Sequence, residues 1–496
     1  MTITPVPLAD LAKKSVLFLP LFQSQSVADF VFSYAIPPAA RRALLVFEKK
    51  HFKGEEGEIK SVWFATGSPE RIILVGLGAK DKWNQRKEPL LARRLVRHAH
   101  ADKISSFGVP LLPDFSSRTF ALNALMGQFE YVKYRTPPKE GWPKVKEIFL
   151  GVAPEKKATA RKEIAEGITI GEEVNATRDL ANTPGSDMTP ALLATAALGI
   201  GKSIASVKVK ILDEPAIKRL SMGGVLGVAR GSQEGPRFII VEYSGGPKRQ
   251  KPLVLVGKGV TFDTGGINLK PEQYMYEMHM DMSGGAAVMH GIAAIARLKL
   301  PINVVGLVPA VENMPSGSSY RPGDQLKSMS GKTIEVLNTD AEGRVILADA
   351  LTYALRYKPG FIADFATLTG AAHVALGNYC SALFTNREDM TEALMAVGNV
   401  SGDYVWPLPL WDEYLLEIKG TFGDIANMAK NDRYGGAIHG AKFLEQFVED
   451  TPWAHLDIAP RMTTVASDIL AKGASGVGVR YIVQLAREYP SLIAQK

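Results

Sequence analysis

The sequence predicts an α/β protein in two parts, a small N-terminal α/β domain and a larger C-terminal domain whose central sheet is flanked by helices. Three observations carry this. Strand-like and helix-like runs alternate along the chain. Charge is divided: residues 1–150 hold 23 Lys and Arg against 14 Asp and Glu, which leaves 35 against 37 for the rest. A long polar-striped helical pattern also ends on the breaker cluster "TPG" at 183–185. Boundaries follow at 1–155, 156–184 for the connecting helix, and 185–496.

Taken in order, "VLFLPLF" is short, contains Pro20 and is preceded by Asp10, Lys13 and Lys14, so it reads as a strand and not as an export signal. "SVWFATG", "RIILVGLG" and "KVKEIFLGVA" read as further strands, and "KEPLLARRLVRHA" as an amphipathic helix. The connector is "KKATARKEIAEGITIGEEVNATRDLAN". Beyond it, Thr189 and Pro190 are good cap and first-turn residues for a helix. The runs "VKVKIL", "RFIIVEY", "PLVLVG", "INVVGLV", "TIEVL", "FIADFATL" and "AHLDIA" supply strands for the large sheet. The longest apolar region, "VMHGIAAIARLKLPINVVGLVPAV", is broken by His290, Arg297, Lys299 and Pro301, which suits a buried helix and strand and argues against a membrane span. The composition, 46% hydrophobic and 22% charged over 496 residues, is that of a soluble globular chain. With Cys380 as its only cysteine it forms no intramolecular disulfide, and a cytoplasmic location is expected.

Several catalytic patterns are absent from the letters. No histidine sits in H-E-x-x-H, and there is no G-x-S-x-G elbow. "GKS" at 201–203 and "GKT" at 331–333 lack the earlier glycine of a phosphate loop, and "GLG" and "GKG" lack the third glycine of a dinucleotide fingerprint. Carboxylates and lysines remain. In "NTDAEGR", Asp340, Glu342 and Arg344 occupy alternate positions, which share one side only where the chain stays non-helical, because in a helix i and i+2 point about 200° apart. Gly343 permits an unusual backbone there. In "VGKGVTFDTGGINLKPEQYMYEMHMDMSGGAAV", Lys258 and Asp263 follow a strand into a glycine-rich loop, and Lys270 and Asp281 come before the next helix. Singly, Asp281 reads as a helix cap, Asp340 and Glu342 as helix-start acids, and the basic residues as surface charges. Together, four carboxylates from separate segments need counter-charge to converge. Two divalent cations about 3.5 to 4 Å apart would supply it, and the hard ligands suit zinc, manganese or magnesium.

The segments "GKGVTFDTGGINLK", "DMSGGAAV" and "NTDAEGR", supported by "NTPGSDMTP", "YRPGD", "ATLTGA" and "RYGGAI", resemble the leucine aminopeptidase (cytosol aminopeptidase) family of binuclear metallopeptidases over roughly residues 175–480. Val345 and Gly185 depart from the usual leucine and proline without touching the chemistry. The resemblance implies a macro-domain-like N-terminal domain and a metal-dependent aminopeptidase that releases leucine and similar residues by means of a two-metal-activated water. It makes Asp263 and Glu342 bridging ligands, adds Asp340 to one site, and gives Lys258 and Asp281 to the other. Lys270 and Arg344 become the catalytic pair, with bicarbonate at Arg344. Backbone groups of Leu368 and Gly370 would orient the peptide, and Met278 and Thr367 would line the pocket for its first side chain. Two ions per subunit, peptides with a free N-terminus and a homohexamer with enclosed sites are also implied.

Two alternatives stay open. A binuclear phosphoesterase would share the metals. An accessory DNA-binding or regulatory role would use the basic N-terminal third, where Arg93, Arg94 and Arg97 can share one broad face of a helix.

Overall fold

The computed structural model describes residues 1–30, 36–65, 67–431 and 434–494. Contacts group Met1–Glu172 with Val465–Ala471 in one unit, and Glu173–Thr464 with Lys472–Lys496 in the other. The grouping of Val465–Ala471 with the first unit has no counterpart in the sequence pattern.

The first unit holds a six-stranded sheet built from β1 (Thr2–Pro7), β2 (Val16–Leu21), β3 (Ile59–Trp63), β4 (Arg71–Gly76), β5 (Ser106–Pro110) and β6 (Glu147–Val152), in the order β1-β6-β5-β2-β4-β3. Only the β3–β4 pairing is antiparallel. β4 is buried along its whole length, as a parallel strand covered on both faces must be. The helix Lys87–Ala101 forms where its pattern predicts, yet the expected cationic face does not. Arg93 is buried, and its guanidinium donates to Asn123 Oδ1 (2.9 Å) and to the Asp468 carbonyl (2.9 Å). Arg97 is paired with Glu130 at 2.6 Å. Arg93 is thus part of the core of this unit while Arg94 and Arg97 are half-buried, so the three do not form one exposed cationic face. The connecting helix runs Lys157–Ala181.

The second unit is built on a nine-stranded sheet. Its strands are β7 (Val207–Leu212), β8 (Arg237–Ser244), β9 (Leu253–Gly257), β10 (Gly259–Asp263), β11 (Asn303–Asn313), β14 (Phe361–Ala366), β15 (Ser381–Thr385), β16 (Val405–Pro407) and β18 (Trp453–Asp457). A separate three-stranded sheet takes β12 (Gln325–Lys327), β13 (Thr333–Glu335) and β17 (Ile425–Ala426). The large sheet runs β16-β15-β18-β14-β9-β11-β8-β7, with β10 beside β11. β18, β14, β9, β11, β10 and β7 run in one direction, and β8, β15 and β16 run against them. The "TIEVL" run therefore leaves the main sheet: it pairs for three residues only, and the chain then turns as Val336 N–H bonds to the Asp324 carbonyl. Thr189 caps the helix Pro190–Ser203 as its residue type predicts, accepting from Leu192 N–H at 3.2 Å. The helices Ser283–Arg297 and Glu342–Ala354 are almost wholly buried, so they pack directly on the sheet. No helix among the described residues is long and apolar enough to cross a membrane.

Asp349 is a buried acid within this core, and its carboxylate accepts from Met329 N–H (2.7 Å) and Val225 N–H (3.0 Å). Burial pushes its carboxyl up to about 7. The folded state therefore keeps a proton that the unfolded chain has already lost, and stability contributed here falls as pH rises from about 4 to about 7. Asp349→Asn removes that titration. Its melting temperature relative to the parent should rise between pH 5 and pH 8, by an amount equivalent to about 1 to 3 kcal/mol, as measured by thermal denaturation. A constant offset across that range would contradict the assignment.

Candidate active site

Strand order reverses between β9 and β14. From β9 the chain proceeds through β10 and Ser283–Arg297 to β11 on one side, whereas β14 is followed on its other side by β18. Open α/β sheets leave a crevice at the carboxyl ends of such neighbours. Lys258 follows β9 and Thr367 follows β14, and they meet there: Lys258 Nζ donates to the Thr367 carbonyl at 2.9 Å. The same ammonium lies 2.8 Å from Asp281 Oδ2 and 2.8 Å from Glu342 Oε1. Asp281 is not the N-cap of the helix Ser283–Arg297, since Met282 holds that position. Its Oδ1 instead accepts the Thr367 hydroxyl at 2.7 Å.

Asp263 ends β10 opposite Asn313 of β11. Its Oδ1 accepts from Asn313 Nδ2 (2.8 Å) and Gly265 N–H (2.9 Å), and Asn313 Nδ2 also reaches the Thr339 carbonyl (3.0 Å). Gly265 has φ +85°, and a Cβ there would lie 2.4 Å from the Asn268 carbonyl, so the turn requires glycine. Asn268 and Thr339 lock the two loops reciprocally: Asn268 N–H donates to Thr339 Oγ1 (2.8 Å) and Thr339 N–H to Asn268 Oδ1 (2.9 Å). Lys270 is thereby placed with Nζ 2.9 Å from Asp263 Oδ2 and in contact with Asp340 Oδ1.

The alternate spacing in "NTDAEGR" has a different cause from the extended backbone it suggests. Asp340 is non-helical, but Glu342 opens the helix Glu342–Ala354, which places Arg344 in its first turn. Glu342 and Arg344 consequently diverge. Arg344 is buried and donates to the Asn427 carbonyl at 3.0 Å. Gly343 has no unusual φ, and its role is close approach, because a Cβ would lie 2.7 Å from Lys258 Cε. Helix start, not extended chain, brings Glu342 to Lys258.

Oxygens of Asp263, Asp340 and Glu342 lie within 4.8 Å of one another. With Asp281 they make four carboxylates against the two ammonium groups. Burial, reinforced by Asp263 and Glu342, pushes Asp281 up to about 8, and burial followed by Asp263 pushes Asp340 up to about 7. Burial opposes the charge on Lys258 and Lys270, yet the surrounding carboxylates outweigh it and raise both. Asp281 Oδ2, Asp340 Oδ1 and Glu342 Oε1 lie near lysine ammonium groups without well-aligned hydrogen bonds. Clustered hard oxygens, orphaned in direction and short of positive charge, fit divalent cations. Burial draws Arg344 down to about 10, against the opposing pull of Glu342 and Asp457.

The four residues expected at the substrate lie in varied settings. Thr367 is buried, with its hydroxyl given to Asp281 and its carbonyl to Lys258. Leu368 N–H is bonded to Asp457 Oδ1 (3.1 Å), which leaves its carbonyl as the group to present. Gly370 is exposed at the start of a helix, where its N–H has no intrahelical partner. Met278 is half-buried, outside the open groove of about 810 Å³ lined by Phe262, Leu269, Lys270, Glu272, Gln273, Met275 and Tyr276. Asn313, Asn268, Thr339 and Asn427 escape sequence reasoning, since each is an ordinary strand-end or loop residue until the fold brings Asn313 to Asp263, Asn427 to Arg344, and Asn268 and Thr339 to one another. Arg433 of "RYGGAI" lies outside the described residues.

The chain is similar to known proteins over most of its length. Residues 175–483 match the model of the cytosol aminopeptidase family catalytic domain, and residues 39–138 match the N-terminal domain of the same family. A probable cytosol aminopeptidase of Bordetella pertussis is 41% identical over 92% of this chain and 94% of its own. That of Roseiflexus castenholzii is 42% identical over 84% and 87%. The solved structure of the bottromycin maturation enzyme BotP in complex with Mn superposes with a TM-score of 0.82 at 30% identity, covering 96% of this chain and 99% of the other.

The contact between Gly343 and Lys258 gives a direct test. Gly343→Ala should lower the melting temperature modestly, because overpacking against the buried lysine costs about 1 to 3 kcal/mol against a helix gain of about 1 kcal/mol, while displacing Lys258 and lowering turnover at least about tenfold. Unchanged turnover would show that the close approach is dispensable.

Proposed function

Because this chain belongs to the cytosol aminopeptidase family and is a metal-dependent aminopeptidase, a hydrolase acting on peptides, we propose that two divalent ions per subunit are held by Lys258, Asp263, Asp281, Asp340 and Glu342. Lys270 and Arg344 are the catalytic pair. The observation that carries this is the convergence of three buried carboxylates, Asp263, Asp281 and Glu342, and the half-buried Asp340 on one crevice with too little positive charge. When bound, the ions polarise the scissile carbonyl and acidify the attacking water. Lys258 must give up a proton to serve as a ligand, which close cations favour.

This chain's residues do the rest. Lys270 is fixed between Asp263 and Asp340 at the edge of the open groove, where its charge stabilises the oxygen of the tetrahedral intermediate. The Leu368 carbonyl and Gly370 N–H orient the peptide, and Met278 and the methyl of Thr367 border its first side chain. Arg344 holds an oxyanion of the bicarbonate type that relays the proton. Zinc or manganese is the proposed metal, with magnesium a third option, and leucine-like N-termini are the preferred substrates. A cytoplasmic homohexamer, with residues 1–155 as a separate module and 185–496 carrying catalysis, completes the proposal.

Hydrolysis of leucine amide and its N-acetyl derivative, with a phosphate ester as control, tests the reading. The free amide should be cleaved, with activity lost on chelation and restored by manganese or zinc. Equal rates on free and acetylated substrates would contradict capture of the α-amine, and cleavage of the ester alone would support a phosphoesterase. Lys270→Ala should lower kcat by about a hundredfold or more with metal content retained. Loss of metal from that variant would make the lysine structural.

A further inference from the structure

Asp457 ends β18 and is fully buried, and nothing in its sequence context marks it. Its Oδ1 accepts from Leu368 N–H (3.1 Å) and Ala459 N–H (3.2 Å), and its Oδ2 accepts the Thr369 hydroxyl (2.6 Å). That hydroxyl in turn accepts from Ala372 N–H (3.0 Å), capping the helix Gly370–Leu376. Two residues before Thr369, Thr367 gives its carbonyl to Lys258 and its hydroxyl to Asp281. The short loop 367–369 is thus tied at one end to the lysine–carboxylate cluster and at the other to Asp457. Asp457 also faces Arg344 electrostatically, as one of two carboxylates favouring its charged form. A buried carboxylate is costly unless hydrogen-bond donors surround it, and here three do.

We propose that Asp457 is a positioning residue of the peptidase site. Its hydrogen bonds hold loop 367–370, which presents the Leu368 carbonyl and Gly370 N–H to the peptide, and its negative charge acts on Arg344 through space, without a direct bond. This rests on the roles given above to Leu368, Gly370 and Arg344. The two contributions separate by substitution. Asp457→Asn keeps an oxygen for the Leu368 and Ala459 N–H groups and loses the charge, whereas Asp457→Ala loses both. Thr369→Val removes one bond to the carboxylate together with the cap on Ala372 N–H, and keeps the carboxylate's charge.

Steady-state hydrolysis of leucine amide, with melting temperature and metal content recorded for each variant, reads the effects. Asp457→Asn should keep KM near the parent value and lower kcat about tenfold, Asp457→Ala should change both about tenfold or more, and Thr369→Val should raise KM several-fold with kcat kept. Should the alanine variant fail to fold, the other two still decide. Parent-like kinetics in both Asp457→Asn and Thr369→Val, or equal loss in kcat and KM for Asp457→Asn, would overturn the assignment. Arg344→Ala run alongside separates the failures. If it is impaired while Asp457→Asn is parent-like, the inference about Asp457 alone falls; if it is parent-like, the catalytic role of Arg344 falls with it.

Discussion

Four carboxylates, three of them buried, face two lysines at the mouth of the large sheet and leave a shortage of positive charge around which the second unit is arranged. Like charges brought close in a poorly hydrated place oppose one another strongly, and the upward drift of Asp281 and Asp340 expresses that cost. A core that had only to be stable would not keep such a cluster, because well-packed apolar residues serve as well or better. What makes the cluster sustainable is the binding of cations, and a metal-dependent peptidase supplies them. The burial that penalises the empty charges also lowers the effective dielectric, so the same cost strengthens the field acting on a bound peptide.

The fold meets this constraint by dividing labour among strand ends. β9, β10 and β14 deliver Lys258, Asp263 and Thr367 from rigid parallel strands, so these groups are placed by sheet geometry and not by loop conformation. Asp340 and Lys270 sit on loops and need other restraint. Asn268, Thr339 and Asn313 provide it through bonds that cross between the two loops and the end of β11. Tyr320 adds a bond from its hydroxyl to the Thr339 carbonyl at 2.7 Å, completing a layer of neutral polar groups behind the charged one.

Legibility in the sequence followed the physics of each element. Continuous apolar runs such as "PLVLVG" and "FIADFATL" became strands because parallel strands buried on both faces have no alternative pattern. The charged site residues were legible because glycine-rich loops with Lys and Asp are rare within so apolar a background. The neutral supports were not, since Asn313 and Asn427 acquire meaning only when distant strands are paired. Arg93 misled for a related reason: helical spacing says which residues share a face, but not what that face meets. In this unit it meets Asn123 and the Asp468 carbonyl, the latter contributed by a segment 375 residues away in sequence.

The "NTDAEGR" turn shows how one local choice can serve several ends. Starting the helix at Glu342 points that carboxylate back toward Lys258, and helical geometry then sends Arg344 to the opposite wall beside Asn427 and Asp457. An extended chain would have placed all three charged groups on one side, where the guanidinium would compete with cations for the same carboxylates. Gly343 is what allows the helix to begin so close to the lysine, since any larger residue would push against its stem. The separation keeps a positive charge near the carboxylates while the guanidinium donates to the Asn427 carbonyl and not to them.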